Sequence, residues 1–219
     1  MKIITGKDGK KFAVVENDSH ISKWCEEEGR LDHDQNSLPV ILEHIEEGDI
    51  VIDVGANIGD HTIAYLDKVM AGGGGVYAFE PNPKAFECLY FNCPEAECFL
   101  AALGNKRFTK VGIVESENVG ASFVNGEGGI PMEKLDAYKL PVDFIKIDAE
   151  GYELEVLRGA VETINKHKPK MWIEVNEEAL ARMGVSPDYL EGYIEGLGYD
   201  LTAFPVERGP QYDVLCLPR

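Results

Sequence analysis

An α/β fold with a mostly parallel sheet is the architecture this sequence predicts, and three observations carry it. Ile50 to Val54 is a short apolar run broken only by Asp53, the pattern of a strand buried on both faces. Gly55 and Gly59 follow, and Ile58, Ile63, Ala64 and Leu66 begin a helical apolar stripe, so the stretch reads as strand, glycine turn, helix. Strand-like and helix-like patterns then alternate along most of the remaining chain, as expected when helices connect parallel strands. At 219 residues, one domain with a sizeable core accounts for the whole length. Residues 1–48 then form a hairpin and helical extension, and residues 49–219 form the core.

In chain order, Lys2 to Thr5 and Lys11 to Val15 read as paired strands around the Asp8-Gly9 turn signal. Ser19 is placed to cap a helix on which Ile21, Trp24 and Cys25 recur at helical spacing. A polar break over residues 32–36 follows, in which His33 reads as a solvated loop residue; a second helix then runs from Leu38 to Ile45 and ends at Gly48. Gly72 to Gly75 precede a strand rather than a helix, so they form a connector and not a phosphate loop. Val76 to Phe79 is the second core strand, Lys84 to Asn92 a helix, and Cys98 to Leu103 a third strand ended by Gly104-Asn105. From Phe108 to Pro131 the chain is glycine-rich, with β-like pieces such as Lys110 to Glu115 and a loop from Glu127 to Ile130. This segment either binds an acceptor beside the main site or covers a sheet edge as a hairpin. Val142 to Ile147 is again a buried strand, followed by a helix from Tyr152 to about Lys166, a strand from Lys170 to Asn176 and a helix from Asp188 to Leu197. Tyr199 to Phe204 and Asp213 to Leu217 close the chain as an antiparallel pair around Arg208-Gly209-Pro210.

Two acidic positions give the first indication of chemistry. The turn after Asp53 reads Gly55-x-x-x-Gly59, one glycine short of the dinucleotide fingerprint, and Glu80 ends the second strand where a ribose-binding carboxylate is expected. A carboxylate there can accept both ribose hydroxyls, so the two motifs together argue for a nucleoside cofactor. Asp148 and Glu150 lie just past a buried strand, and on the next strand Glu174 and Asn176 approach the same end. Glu150 has a competing reading as the cap of the following helix. A rival reading makes Asp148, Glu150, Glu174 or Asn176 the oxygen ligands of Mg²⁺. No residue has spacing that implies zinc.

Composition narrows the function classes. With 39 acidic and 21 basic residues the net charge is −18, which repels phosphate backbones and makes nucleic acid a poor partner. The five cysteines lack metal-ligand spacing and read as free structural thiols of a reducing compartment. No charged-then-apolar leader and no run of 18 or more apolar residues occurs, so a cytoplasmic, soluble protein is expected.

The Val51 to Thr62 run, Phe79-Glu80-Pro81-Asn82-Pro83, Ala102-Leu103-Gly104-Asn105 and the stretch from Phe144 to Glu153 together resemble the class I S-adenosylmethionine-dependent methyltransferases of the FkbM type. The matching segments are scattered between Asp49 and Asn176, and Lys146-Ile147-Asp148-Ala149-Glu150-Gly151 is the most specific of them. The resemblance implies a Rossmann-like, seven-stranded, mostly parallel sheet with helices on both faces. It also implies methyl transfer from S-adenosylmethionine to an oxygen, such as a hydroxyl on a sugar or other small metabolite. Asp53, Gly55, Asn57, Gly59, Glu80, Asn82 and Asp148 are then the candidate cofactor-binding residues. Asp148, Glu150 and His61 are the candidate catalytic ones, with the choice of base between the carboxylates left open. The alternatives are a nucleoside-binding module without transfer activity and a Rossmann-type NAD-dependent oxidoreductase, the latter disfavoured by the missing glycine.

Overall fold

The computed structural model describes residues 1–31, 34–105, 109–114, 116–205 and 209–219. His33, Phe108, Glu115 and Arg208, named in the sequence reading, lie outside the described residues. Seven strands form the main sheet: β3 (Ile50–Val54), β4 (Gly75–Phe79), β5 (Glu97–Phe99), β9 (Phe144–Ile147), β10 (Lys170–Asn176), β11 (Tyr199–Phe204) and β12 (Gln211–Pro218). Their spatial order is β11-β12-β10-β9-β3-β4-β5, and β12 alone runs antiparallel to its neighbours. The order of the strands reverses between β3 and β9, so a crevice opens beyond the carboxyl ends of these two strands.

Alternation along the strands divides the core into two layers. Ile52, Val54, Ile145 and Ile147 pack on one face with α5 (Glu153–Arg158), α6 (Val161–His167) and α8 (Pro187–Gly196). Val51, Ala78 and Phe144 pack on the other face with α2 (Ser37–Leu42), α3 (Thr62–Val69) and α4 (Pro83–Asn92). Two smaller sheets flank this core. β1 (Lys2–Thr5) and β2 (Lys11–Val14) form the expected hairpin, which is followed by α1 (Ile21–Glu28). Asn92 of α4 joins the hairpin to the glycine turn: it accepts from Ala13 N at 2.6 Å and donates to Ala13 O and Ile58 O at 2.9 and 2.7 Å. β6 (Ala102–Leu103), β7 (Thr109–Val114) and β8 (Phe123–Glu133) form the second small sheet, with a break in register between Val111 and Gly112.

Several local expectations are corrected. The third strand is two pieces: Phe99 pairs with β4, a tight turn follows with Ala101 N donating to Phe99 O at 3.0 Å, and Ala102–Leu103 joins β8 instead. Residues 127–130 belong to β8 rather than to a loop. The helix expected from Tyr152 to Lys166 breaks at Gly159, where a Cβ would stand 2.2 Å from Gly104 O. Asp136 holds the new helix start by accepting from Glu162 N and Thr163 N at 3.1 and 2.8 Å. α2 stops at Leu42, short of Ile45. α7 (Glu177–Arg182), capped by Asn176, had no sequence expectation. Ser19 does not cap α1; Asp18 does the equivalent work, accepting from Ser22 N at 2.7 Å.

Candidate active site

The register of the parallel strands brings the site together. Val54 stands opposite Phe79 on one side and Ile147 on the other, so Gly55, Glu80 and Asp148 emerge side by side. Ile147 in turn pairs with Ile173, and Glu174 with Asp213, which adds two more carboxylates to the row. Over these strand ends lies a cavity of about 540 Å³, large enough for a nucleoside cofactor and part of an acceptor.

The turn after β3 is held from below. Gly55 has φ +76°, and a Cβ there would lie 1.8 Å from Asp148 O, so only glycine fits. Asn57 takes φ +49°, with its backbone N–H donating to Glu80 Oε2 at 2.8 Å. Asn82 N donates to Glu80 Oε1 at 2.7 Å. Glu80 thus ties the glycine turn to the start of α4. Burial pushes its carboxyl up to about 7 despite these two donors. Each oxygen keeps a second lone pair for a ribose hydroxyl, and apolar Phe79, Ala101, Ala102 and Leu103 supply a wall for a flat base.

Lys146 occupies the centre of the floor. It is nearly buried, and its Nζ donates to Gly55 O at 3.1 Å and lies 3.3 Å from Asp148 Oδ2 and 3.8 Å from Asp53 Oδ1. Burial opposes its charge, but Asp148 and Asp53 outweigh burial and raise its pKa. Asp53 is fully buried and accepts from Thr62 Oγ1 at 2.6 Å; burial raises its carboxyl against the pull of Lys146. Asp53 therefore orients the turn from beneath and is absent from the cavity lining, as are Gly59 and Asn82. Gly59 has φ +90° and packs against Cys93, while Asn82 caps α4 by accepting from Lys84 N at 3.0 Å.

Opposite Glu80 and the apolar wall stands an acidic wall. Asp148, Glu150 and Glu174 each offer a carboxylate oxygen within 4.8 Å of the others. Glu150 sits at φ +52°, and burial together with Asp148 and Glu153 pushes its carboxyl up to about 8. It does not cap α5. Glu153, the first residue of that helix, instead braces the loop before it, accepting from Ala149 N and Gly151 N at 3.0 Å each. Gln211 Nε2 donates to Glu174 Oε1 at 2.7 Å, leaving Oε2 sealed from solvent with no hydrogen-bond partner. Burial and the neighbouring Asp148 lift Asp213 to about 7. Asn176 serves as the cap of α7, accepting from Ala179 N at 3.1 Å.

His61 lines the cavity with both ring nitrogens engaged. Nε2 lies 3.2 Å from Asp34 Oδ2, and Nδ1 3.2 Å from the Tyr65 hydroxyl. Burial disfavours its charge, yet the Asp34 hydrogen bond and the nearby Asp60 raise its pKa overall. This pair joins the N-terminal extension to the core. Lys146 (quoted in the sequence motif without a role), Asp34, Gln211 and Asp213 are site residues that sequence reasoning missed, brought here by pairing register and chain reversal, whereas the Asn118–Ser122 loop belongs to the glycine-rich segment for which a place beside the site is one of two readings.

A doubly wound sheet with its one antiparallel strand, a glycine turn over an acidic strand end, and a cavity at the switch point define a Rossmann-like fold of the class I S-adenosylmethionine-dependent methyltransferases. The profile of the Methyltransferase FkbM domain matches residues 53–201, and the chain belongs to that family. Membership sets aside the oxidoreductase alternative. A 147-residue stretch is 31% identical to the hexuronic acid methyltransferase AglP of Haloferax volcanii, covering 60% of this chain and 59% of that protein. The chain thus spans under two thirds of this relative. An FkbM methyltransferase structure from Methylobacillus flagellatus superposes with a TM-score of 0.53 at 22% identity, over 77% of this chain and 43% of that one. Aeropyrum pernix fibrillarin, solved with natively bound S-adenosyl-L-methionine, superposes at 0.52 and 13% identity over 98% and 93%. Among the described residues no helix is long and apolar enough to cross a membrane.

Proposed function

We propose that the protein methylates an oxygen of a sugar or related small metabolite, with hexuronic acid glycosides as the first acceptors to try. The observation that carries this reading is the continuity of one cavity from the Gly55–Glu80 cradle to the carboxylates of Asp148, Glu150 and Glu174. The AglP relative supports a uronic acid acceptor. S-adenosylmethionine, when bound, supplies a methyl group made electrophilic by its sulfonium.

Glu80 would hold the ribose hydroxyls of that cofactor, the backbone around Gly55 and Asn57 would cradle its amino acid portion, and the acidic lining suits its cationic sulfur. Lys146 keeps Asp148 and the Gly55 carbonyl in place. For a hydroxyl acceptor, Asp148 and Glu150 are the candidate proton acceptors, and burial together with Asp148 raises the basicity of Glu150. His61, bridged to Asp34 and Tyr65, positions the cavity wall rather than acting as the base. The chain's contribution is alignment.

The test is transfer of radiolabelled methyl from S-adenosylmethionine to a panel of uronic acid and neutral glycosides. Labelled product with any of these that falls at least about a hundredfold in Asp148→Asn supports the reading. Cofactor binding without transfer to any member of the panel would favour the non-transferring module instead.

A further inference from the structure

The acidic wall has more carboxylate than its neighbours neutralise. Among the described residues, the cavity is lined by seven Asp and Glu side chains and, of lysines and arginines, by Lys146 alone. That lysine is shared with Asp53 and the Gly55 carbonyl. We propose that Asp148, Glu150 and Glu174 form a binding site for a hard divalent cation of the Mg²⁺ or Ca²⁺ class, which grips two neighbouring oxygens of the acceptor. The inference rests on the methyltransferase reading and extends it to how the acceptor is held.

Four observations support it. The three carboxylate oxygens lie within 4.8 Å of one another. Three oxygens bound to one cation can be mutually up to ~4.3 Å apart for Ca²⁺ at ~2.5 Å and ~3.6 Å for Mg²⁺ at ~2.1 Å, so the trio closes on Ca²⁺ by side-chain movements of about half an ångström and on Mg²⁺ by about one. The donor set is all oxygen, without histidine or cysteine, which selects hard cations over zinc or copper.

Glu174 Oε2 is sealed from solvent without a hydrogen bond, while its partner oxygen is fixed by Gln211. A buried carboxylate oxygen with no donor is costly unless something positive meets it. Glu153, 1% exposed and the first residue of α5 just after this loop, carries a second such oxygen, Oε2.

The ligand-bearing loop is rigid. Glu153 Oε1 holds the N–H groups of Ala149 and Gly151, and Gly151 has φ +99° with room for a Cβ blocked by Ala179 O at 2.3 Å. Arg182 lies 3.8 Å from Glu150 Oε2 and stacks on Phe123 of β8, which ties the wall to the insertion that lines another part of the cavity. Such outer contacts fix ligands in metal sites. The cavity leaves the trio open on the acceptor side, where bound water or two adjacent sugar oxygens complete the coordination of a cation.

The experiment is titration of the protein with Mn²⁺ followed by electron paramagnetic resonance, with and without S-adenosylhomocysteine, for the natural chain, Glu150→Gln and Glu174→Gln. Calorimetric binding of S-adenosylhomocysteine reports that each variant is folded. The expected result is one bound Mn²⁺ per chain, displaced by Mg²⁺ or Ca²⁺, with affinity reduced about tenfold or more in each variant while S-adenosylhomocysteine still binds. No bound Mn²⁺ up to about 1 mM in protein that binds S-adenosylhomocysteine overturns the site and leaves the methyltransferase reading standing. Undiminished Mn²⁺ binding in both variants overturns it equally. Mn²⁺ binding that follows the variants in a folded protein without affinity for S-adenosylhomocysteine supports the cation site and removes the reading it was built on.

Discussion

The two sides of the cavity are built by different means. The side we assign to the cofactor is a set of strand ends whose positions follow from sheet register and from backbone packing too close for any side chain, as at Gly55 against Asp148 O. The part we assign to the acceptor is completed, beyond the acidic wall, by the N-terminal extension and the β7–β8 insertion, held by a few side-chain bridges such as Asp34 to His61 and Asp18 to Val119 N at 2.8 Å. The first side can change little without losing the fold. The second can change while the core stands, which is how one scaffold comes to serve different acceptors.

This contrast orders the expected effects of mutation. The largest belongs to Gly55→Ala, which combines a 1.8 Å clash with a positive φ. It should cost about 3 kcal/mol or more in chemical denaturation and abolish cofactor binding. A stable, cofactor-binding Gly55→Ala protein would show that the turn is not fixed in the way described.

Glu80→Gln comes next, with cofactor affinity reduced by about tenfold to a hundredfold from a weakened charged hydrogen bond. Because burial lifts Glu80 to about 7, with Lys146 lowering and Asp148 raising it, affinity in the natural protein should strengthen as the pH rises through about 7. Calorimetry at pH 6 and pH 8 should show this difference and its loss in the variant. The same elevation makes the unliganded fold hold the proton more tightly than the unfolded chain does, so this contribution to stability falls as the pH rises from 4.5 to about 7.

On the acceptor side, Asp34→Asn should remove on the order of 1 kcal/mol of stability and raise the acceptor KM severalfold with cofactor affinity unchanged. Burial opposes both charges of this pair, yet their contact raises His61 and lowers Asp34. The His61 contribution is complete below its unfolded value of 6.5 and fades as the pH rises through its higher folded value. The Asp34 contribution is complete above 3.8 and fades as the pH falls through its lower folded value. The pair is therefore strongest between about pH 4 and 6.5, and thermal melts of Asp34→Asn should differ most from the natural protein in that window.

The smallest effect is expected from Asp18→Ala, which frees Val119 N and Ser22 N. It should cost about 1 kcal/mol and lower turnover modestly by loosening the Asn118–Ser122 loop. An equal loss of cofactor affinity in Asp34→Asn or Asp18→Ala would erase the division between the two sides.

The same division describes what was legible in the sequence. Ile50 to Gly59, Glu80 and the Lys146 to Glu150 motif carry their structural meaning locally, through apolar runs, glycines and strand-end acids, and the structure brings Gly55, Glu80 and Asp148 side by side. Long-range events were not legible. The split of the third strand depends on β8 capturing Ala102–Leu103, and the break at Gly159 depends on the approach of Gly104. Glu150 does not cap α5; it takes a left-handed conformation and brings a carboxylate oxygen near those of Asp148 and Glu174. Gln211 and Asp213 enter the site only because β12 runs antiparallel beside β10.

The central claim is that the strand-end cavity holds S-adenosylmethionine with Glu80 on its ribose, and calorimetric titration of the natural protein and Glu80→Ala tests it most directly. Saturable one-to-one binding that weakens at least about tenfold in a folded Glu80→Ala variant is the predicted result. Absence of binding to the folded natural protein, or equal affinity in both proteins, would contradict it.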